Sequence, residues 1–120
     1  MLFADGRVRV WLCTAPVDMR KSYDGLAALV KHHLGDDPLS GHLFAFVNRR
    51  ATQIKILGFD RTGYAIWSKR LEQGRFVVDH RHGAPKRALT MTELQCLLDG
   101  IELRDAHTYK RFVLPERGAP

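Results

Sequence analysis

The sequence predicts a single α+β domain: an antiparallel β-meander of about four to five strands with two helices packed on one face. Between Gly41 and Phe76, three short runs rich in Val, Ile, Phe, Tyr and Trp are separated by connections too short for a crossover helix. On either side of this stretch, apolar residues recur at helical spacing. The length of 120 residues is that of one domain.

Four or five strands follow from the pattern of apolar residues. Residues 7–14 alternate between apolar and polar and precede Pro16, which cannot donate a hydrogen bond to a sheet. The meander strands are predicted at 43–47, 54–59 and 64–71, with a weaker candidate at 75–78. The run from Asp60 to Gly63 has the composition of a tight turn between two of them.

Two helices are indicated by their start and stop signals. Ser22 is placed to cap a first helix that ends at Gly35. Thr90 and Glu93 have the spacing of a capping box, which opens a second helix running to about Asp99. Residues 79–88 predict a polar, basic loop. The core is expected at about 7–103 and a C-terminal tail at 104–120, in which 108–112 form a short strand or a basic extension and 116–120 are frayed.

The charge balance favours a nucleic-acid partner. Nineteen Lys and Arg residues against thirteen Asp and Glu give a net charge of +6, and Arg outnumbers Lys by thirteen to six. Arg suits bidentate contact with phosphate, although a solvated basic surface would show the same composition. The meander concentrates this charge in its turns and strands, and the predicted nucleic-acid contacts are Arg49, Arg50, Lys55, Arg61, Lys69, Arg70 and Arg75. The aromatic side chains of the strands, by contrast, are expected to fill the core more often than to stack on single-stranded bases.

Other classes of protein are disfavoured by the sequence. It contains no apolar run long enough to cross a membrane and no secretion leader, so we expect a cytoplasmic bacterial protein. Cys13 and Cys96 are far apart, and each is expected to behave as a small buried hydrophobe rather than as half of a disulfide bridge. His32 and His33 are adjacent on a helix and so point in different directions, and no cysteine pair has zinc-finger spacing. We therefore predict no metal site and no cofactor.

Several segments resemble one known family in order along the chain. They are VRVWLCTAPVDMRKSYDGLAALV at 8–30, SGHLFAFVNRR at 40–50, QIKILGFDRTGYAIWSKRLEQGRF at 53–76 and TMTELQCLLDGIE at 90–102. The chain resembles the small accessory protein of insertion-sequence-66 type transposable elements, usually called TnpB, which is distinct from the RNA-guided nuclease of the same name. The most specific segments of the match are 69–76 and the motif of Asp18, Met19, Arg20 and Lys21.

The resemblance implies a protein encoded beside a separate, larger transposase and needed for efficient movement of the element. It carries over no catalytic residues. The predicted function is therefore a non-catalytic transposition accessory protein that binds the double-stranded DNA of the element, the transposase subunits, or both.

Two alternative functions belong to other classes of protein. One is a pure protein–protein adaptor of the transposase complex without direct DNA contact. The other is a nuclease or strand-transfer subunit, which would need acids such as Asp18, Asp24 and Asp60 to converge on metal ions. Asp18 is expected to form a salt bridge with Arg20 or another basic residue instead. An exposed edge strand is compatible with a homo-oligomer.

Overall fold

Seven strands and two helices make up the regular structure of the described residues. The computed structural model describes residues 7–78, 83–102, 107–108 and 110–115. In chain order the elements are β1 (Val10–Cys13), α1 (Tyr23–His32), β2 (Leu43–Val47), β3 (Gln53–Asp60), β4 (Gly63–Arg70), β5 (Lys86–Leu89), α2 (Met91–Asp99), β6 (Ile101–Glu102) and β7 (His107–Thr108). They form one α+β domain, as predicted.

The central sheet has five strands in the order β4-β3-β2-β1-β5. β2, β3 and β4 form the predicted antiparallel meander. β1 is not part of the antiparallel meander. It pairs with β2 in parallel, and α1 connects the two strands. β5 pairs antiparallel with the other side of β1, so β4 and β5 are the two edges of this sheet.

The prediction that both helices pack on one face is wrong, because each covers a different face. On one face, Leu94 and Leu98 of α2 pack with Ala45 and the other odd-numbered residues of β2. On the opposite face, Leu26 and Val30 of α1 pack with Phe44 and Phe46. All five residues of β2 are consequently buried, since their side chains alternate between two covered faces.

Several local predictions have definite outcomes. α2 begins with the predicted capping box of Thr90 and Glu93 and ends at Gly100 in a left-handed conformation. Ser22 precedes α1 but its side chain makes no capping hydrogen bond, which corrects the predicted cap.

Two predictions of local structure, a strand at 75–78 and a loop at 79–88, are wrong in whole or in part. Residues 75–78 are not a strand, although Phe76 among them is buried. Lys86–Leu89 is a strand within the segment predicted to be a loop. In the predicted C-terminal tail at 104–120, His107–Thr108 is a short strand that pairs with β6, and 110–115 are irregular. The rest of the predicted loop, at 79–82, and the predicted frayed end at 116–120 lie outside the described residues.

Candidate nucleic-acid interface

The β2–β3 turn presents two exposed arginines on a well-braced backbone. Asn48 Oδ1 accepts hydrogen bonds from the backbone amides of Thr52 at 2.9 Å and Gln53 at 3.1 Å. Its amide nitrogen donates to the Thr52 hydroxyl at 3.2 Å. Arg49 and Arg50 sit inside this closed turn and are exposed. Because Asn48 fixes the backbone on both sides, the two guanidinium groups project from a defined position into solvent.

Two more of the predicted contacts lie at the same end of the sheet. Arg70, at the end of β4, pairs in register with Gln53 at the start of β3. It forms an ion pair with Glu72 at 3.1 Å between side chains that are 72% and 64% exposed, so this pair adds little stability. Arg75 is exposed and precedes Phe76, whose amide donates to the carbonyl of Ala51 at 2.7 Å. We call Arg49, Arg50, Arg70 and Arg75 the basic end of the sheet.

The remaining predicted contacts are not part of this group. Arg61 lies in the β3–β4 turn, at the opposite end of the eight-residue strand β3 and therefore about 25 Å away. Lys69 is half-buried and pairs with Ile54, which places its side chain on the face covered by α2. The seven predicted nucleic-acid contacts therefore do not lie on one surface.

Lys55 has a structural role. Its ammonium donates to the carbonyl of Met19 at 2.7 Å and to that of Lys21 at 2.9 Å. The side chain leaves β3 on the face covered by α1 and ties the segment before that helix to the sheet. Much of its hydrogen-bonding capacity is used by these carbonyls, so it is less available to a phosphate than an exposed lysine.

The motif of Asp18 to Lys21 forms a tight loop around one ion pair. The predicted salt bridge of Asp18 is confirmed, and its partner is Arg20, whose Nη2 lies 2.6 Å from Oδ2. Arg20 Nε and its backbone amide also donate to the same carboxylate. Hydrogen bonds from Arg20 lower the pKa of Asp18 from 3.8 to about 2. Asp18 is therefore a carboxylate at neutral pH.

This loop and the arginine turn face each other across an open cleft of about 400 Å³. The backbone amide of Val17 donates to the carbonyl of Val47 at 2.9 Å and joins the two segments. Residues 16–19 line one side of the cleft and residues 48–50 line the other. The result is a concave surface lined by apolar, acidic and basic residues.

Sequence reasoning singled out both segments of this cleft but missed that they meet. About thirty residues and the whole of α1 separate them in the chain. The parallel pairing of β1 with β2 places the carboxyl ends of both strands at the same end of the sheet. Asn48 was also missed, although an Asn at the start of a connection is a recognised turn signal.

The acidic residues of the described chain are dispersed. Asp24 lies in the first turn of α1, Asp60 ends β3, and Asp36 pairs with Lys86 at 2.5 Å. Among the described residues, no three His, Cys, Asp or Glu side chains are grouped so that they could hold a metal ion. His80 and His82 lie outside those residues. None of the described helices is long and apolar enough to cross a membrane.

Comparison with known proteins identifies the family. The sequence model described as "IS66 Orf2 like protein" matches residues 8–108. The chain belongs to this family. Uncharacterized protein y4hO of Sinorhizobium fredii is 38% identical over 104 residues, which are 87% of this chain and 90% of that protein. Uncharacterized protein y4jC of the same organism is 36% identical over 70 residues, covering 58% and 60% of the two chains. No solved structure matches.

Membership of the family confirms the resemblance found in the sequence. The match includes the whole sheet, both helices, the motif loop and the arginine turn. The chain is therefore an IS66 Orf2-like transposition accessory protein.

Proposed function

We propose that this accessory protein is non-catalytic and that it binds the double-stranded DNA of the element through the basic end of its sheet. The observation that carries the proposal is the pair of exposed arginines, Arg49 and Arg50, on a turn braced by Asn48. In the part of the chain that the structure describes, neither guanidinium has an ion-pair or hydrogen-bond partner. Both are available to phosphate oxygens without first breaking an internal contact.

The arrangement of the basic end suits contact with a phosphate backbone. Arg75 lies beside the turn through the Phe76–Ala51 hydrogen bond, and Arg70 ends the neighbouring strand. Arginines that neutralise phosphates release condensed counterions, which supplies affinity independently of sequence. A rigid strand end keeps several such groups on one surface at a smaller entropic cost than flexible loops.

The positions of the acids support a non-catalytic role. Asp18 is bonded to Arg20, Asp36 is paired with Lys86 and Glu93 closes the capping box of α2. Each of these three carboxylates has a structural partner, whereas strand transfer requires carboxylates that converge on metal ions. The protein would act by recruitment or DNA architecture while the separate transposase performs the chemistry.

Direct binding tests this proposal. The purified protein is titrated into labelled duplexes carrying the element end or a scrambled sequence, over a series of salt concentrations. The double variant R49A/R50A is compared with K31A/R61A, which removes the same charge from exposed positions away from the basic end. We expect R49A/R50A to reduce the salt slope of log K by about 1.8, because each lost phosphate contact contributes about 0.9.

The outcomes separate the proposal from its rival. An unchanged slope in K31A/R61A together with a reduced slope in R49A/R50A supports contact at the basic end. Tighter binding to the element end than to the scrambled duplex would add sequence recognition. Failure of the unmodified protein to bind either duplex at low salt would refute direct DNA binding.

A second candidate function is the protein–protein adaptor, and one observation favours it. Phe112, Val113 and Leu114 are consecutive apolar residues that are 58%, 78% and 68% exposed. Exposed apolar segments of this kind often mark protein contacts. In this alternative the segment docks on the transposase and the basic end meets an acidic region of it. Loss of transposase binding in F112S/L114S, with the melting temperature unchanged, would assign the segment to that partner.

A further inference from the structure

A C-terminal arginine fastens residues 110–115 to the body of the domain. Arg111 Nη2 donates to the carbonyl of Leu97 at 3.3 Å, and Nε donates to that of Leu98 at 3.4 Å. Nη1 donates to the carbonyl of Arg75 at 3.0 Å. The guanidinium also lies 5.3 Å from the ring centroid of Phe76. One side chain thus joins the end of α2 to the segment after β4.

Two glycines with positive φ make room for this attachment. Gly100 has φ of 76°, and a Cβ there would lie 2.9 Å from the guanidinium carbon of Arg111. Gly74 has φ of 87°, and a Cβ there would overlap the carbonyl group of Lys110. A side chain at Gly74 would meet the backbone of Lys110 and force the C-terminal segment away, whereas a side chain at Gly100 would displace the guanidinium of Arg111 from its position. The close approach is therefore built into two distant parts of the chain.

The attachment brings a further cation to the basic end. The backbone of Lys110 packs directly on Gly74, which is adjacent to Arg75. Two residues beyond Gly74, Phe76 is hydrogen-bonded to Ala51 of the arginine turn. Lys110 is exposed, and in the described part of the chain its ammonium has no ion-pair or hydrogen-bond partner.

Arg111 itself is poorly placed to contact a ligand. All three of its nitrogens donate to backbone carbonyls, including that of Lys110 at 2.8 Å. Burial lowers the pKa of Arg111, and the charge of Asp99 offsets part of this effect. Its role is to hold its neighbour in position.

We propose that Lys110 is an additional phosphate contact of the basic end, and that Arg111 is the positioning residue that holds it there. This inference rests on the proposed DNA-binding function and adds residues to it. Both residues lie beyond residue 108, where the family match ends. The ligand chemistry is that of a DNA backbone phosphate, which an ammonium contacts as a point charge.

The test uses the same labelled duplex and salt series with single-charge variants. K110A is compared with K31A, which also removes one exposed lysine. Lys31 lies in the last turn of α1, before the chain enters β2, and so is away from the basic end. We expect K110A to reduce the salt slope by about 0.9, so that the loss of affinity between 50 and 200 mM salt is about 3.5-fold smaller than in the unmodified protein. K31A is expected to keep the original slope.

The positioning role is tested with R111Q and the double variant K110A/R111Q. R111Q should lower the melting temperature because four carbonyls lose their donor, whereas K110A should leave it unchanged. In DNA binding the double variant should match R111Q alone, because Lys110 is no longer held at the surface once Arg111 is lost. Additive losses of affinity would overturn the positioning role.

The failure of this inference differs from the failure of the proposed function. If the unmodified protein binds DNA and R49A/R50A weakens binding, but K110A behaves as K31A does, the Lys110 contact is refuted and the proposed function stands. If the unmodified protein does not bind DNA at low salt, both are refuted together.

Discussion

Replacing Lys55 by Met removes an ammonium that bonds to two backbone carbonyls while it keeps most of the apolar stem of the side chain. A hydrogen bond to a charged group contributes about 1.5–3 kcal/mol when it is well protected. Here the bond to Met19 is part-buried at 2.7 Å, whereas the bond to Lys21 is exposed at 2.9 Å and water can replace it. We therefore expect K55M to lower the free energy of unfolding by about 2 kcal/mol.

Chemical unfolding followed by tryptophan fluorescence measures this loss, since Trp11 and Trp67 are both half-buried in the sheet. The midpoint should fall while the denaturant slope stays the same, because the unfolded chain exposes nearly the same surface. In a domain of this size, a loss of about 2 kcal/mol corresponds to a melting temperature lower by about 8 °C. Hydrogen exchange should also accelerate at the amide of Lys21, which donates to the carbonyl of Asp18 inside the loop that Lys55 fastens.

The matched control is K69M on the neighbouring strand. Lys69 is also half-buried but makes no hydrogen bond or ion pair among the described residues. Its replacement should change stability by less than about 0.5 kcal/mol. Equal stability of K55M and the unmodified protein, or an equal loss in K69M, would refute the assignment of Lys55 as the tether of the motif loop.

Three further predictions concern the ion pair of the motif loop and the ends of α2. Because Arg20 lowers the pKa of Asp18 to about 2, the stability from their pair is present above about pH 4 and is lost as the pH falls towards 2. An NMR titration of the Asp18 carboxyl should give a midpoint at about pH 2, and R20Q should return that midpoint towards 3.8. T90A should lower the free energy of unfolding by about 1 kcal/mol in a denaturant titration, since it removes the hydroxyl that accepts a hydrogen bond from the Glu93 amide. G100A should cost at least about 1 kcal/mol by the same assay, because alanine is strained at φ of 76°; no measurable loss would contradict the backbone conformation described at the end of α2.

The meander and α2 could be predicted because their signals are local. The apolar run at Leu43–Val47 and the turn beginning at Asp60 contain their own periodicity and turn chemistry. The capping box of α2 requires only residues three positions apart. Such features need no information about distant parts of the chain.

The errors concern features that depend on long-range pairing. Lys86–Leu89 has no apolar periodicity, and it forms a strand because β1 offers a free edge. The separation of the helices onto two faces had a signal in the uninterrupted apolar run of β2, which is typical of a strand covered on both sides. That run was interpreted as part of a one-sided sheet.

The candidate site was predicted in its composition but not in its geometry. The exposure of Arg49 and Arg50 follows from their turn, which the sequence indicates. The capture of Lys55 by two carbonyls, and the distance between Arg61 and the other arginines, depend on where α1 and the strand ends lie. Sequence spacing carries no information about either.

The most direct test of the central claim is a map of the DNA-contacting surface in solution. Uniformly ¹⁵N-labelled protein is titrated with a short duplex at low salt, and the amide chemical-shift changes are followed residue by residue. If the basic end binds DNA, the changes should cluster at residues 48–51, 70–76 and 110–111 and should be absent at 60–64, in the turn that carries Arg61. Changes centred on 60–64, or no changes in the presence of excess duplex, would contradict the claim that the basic end binds DNA.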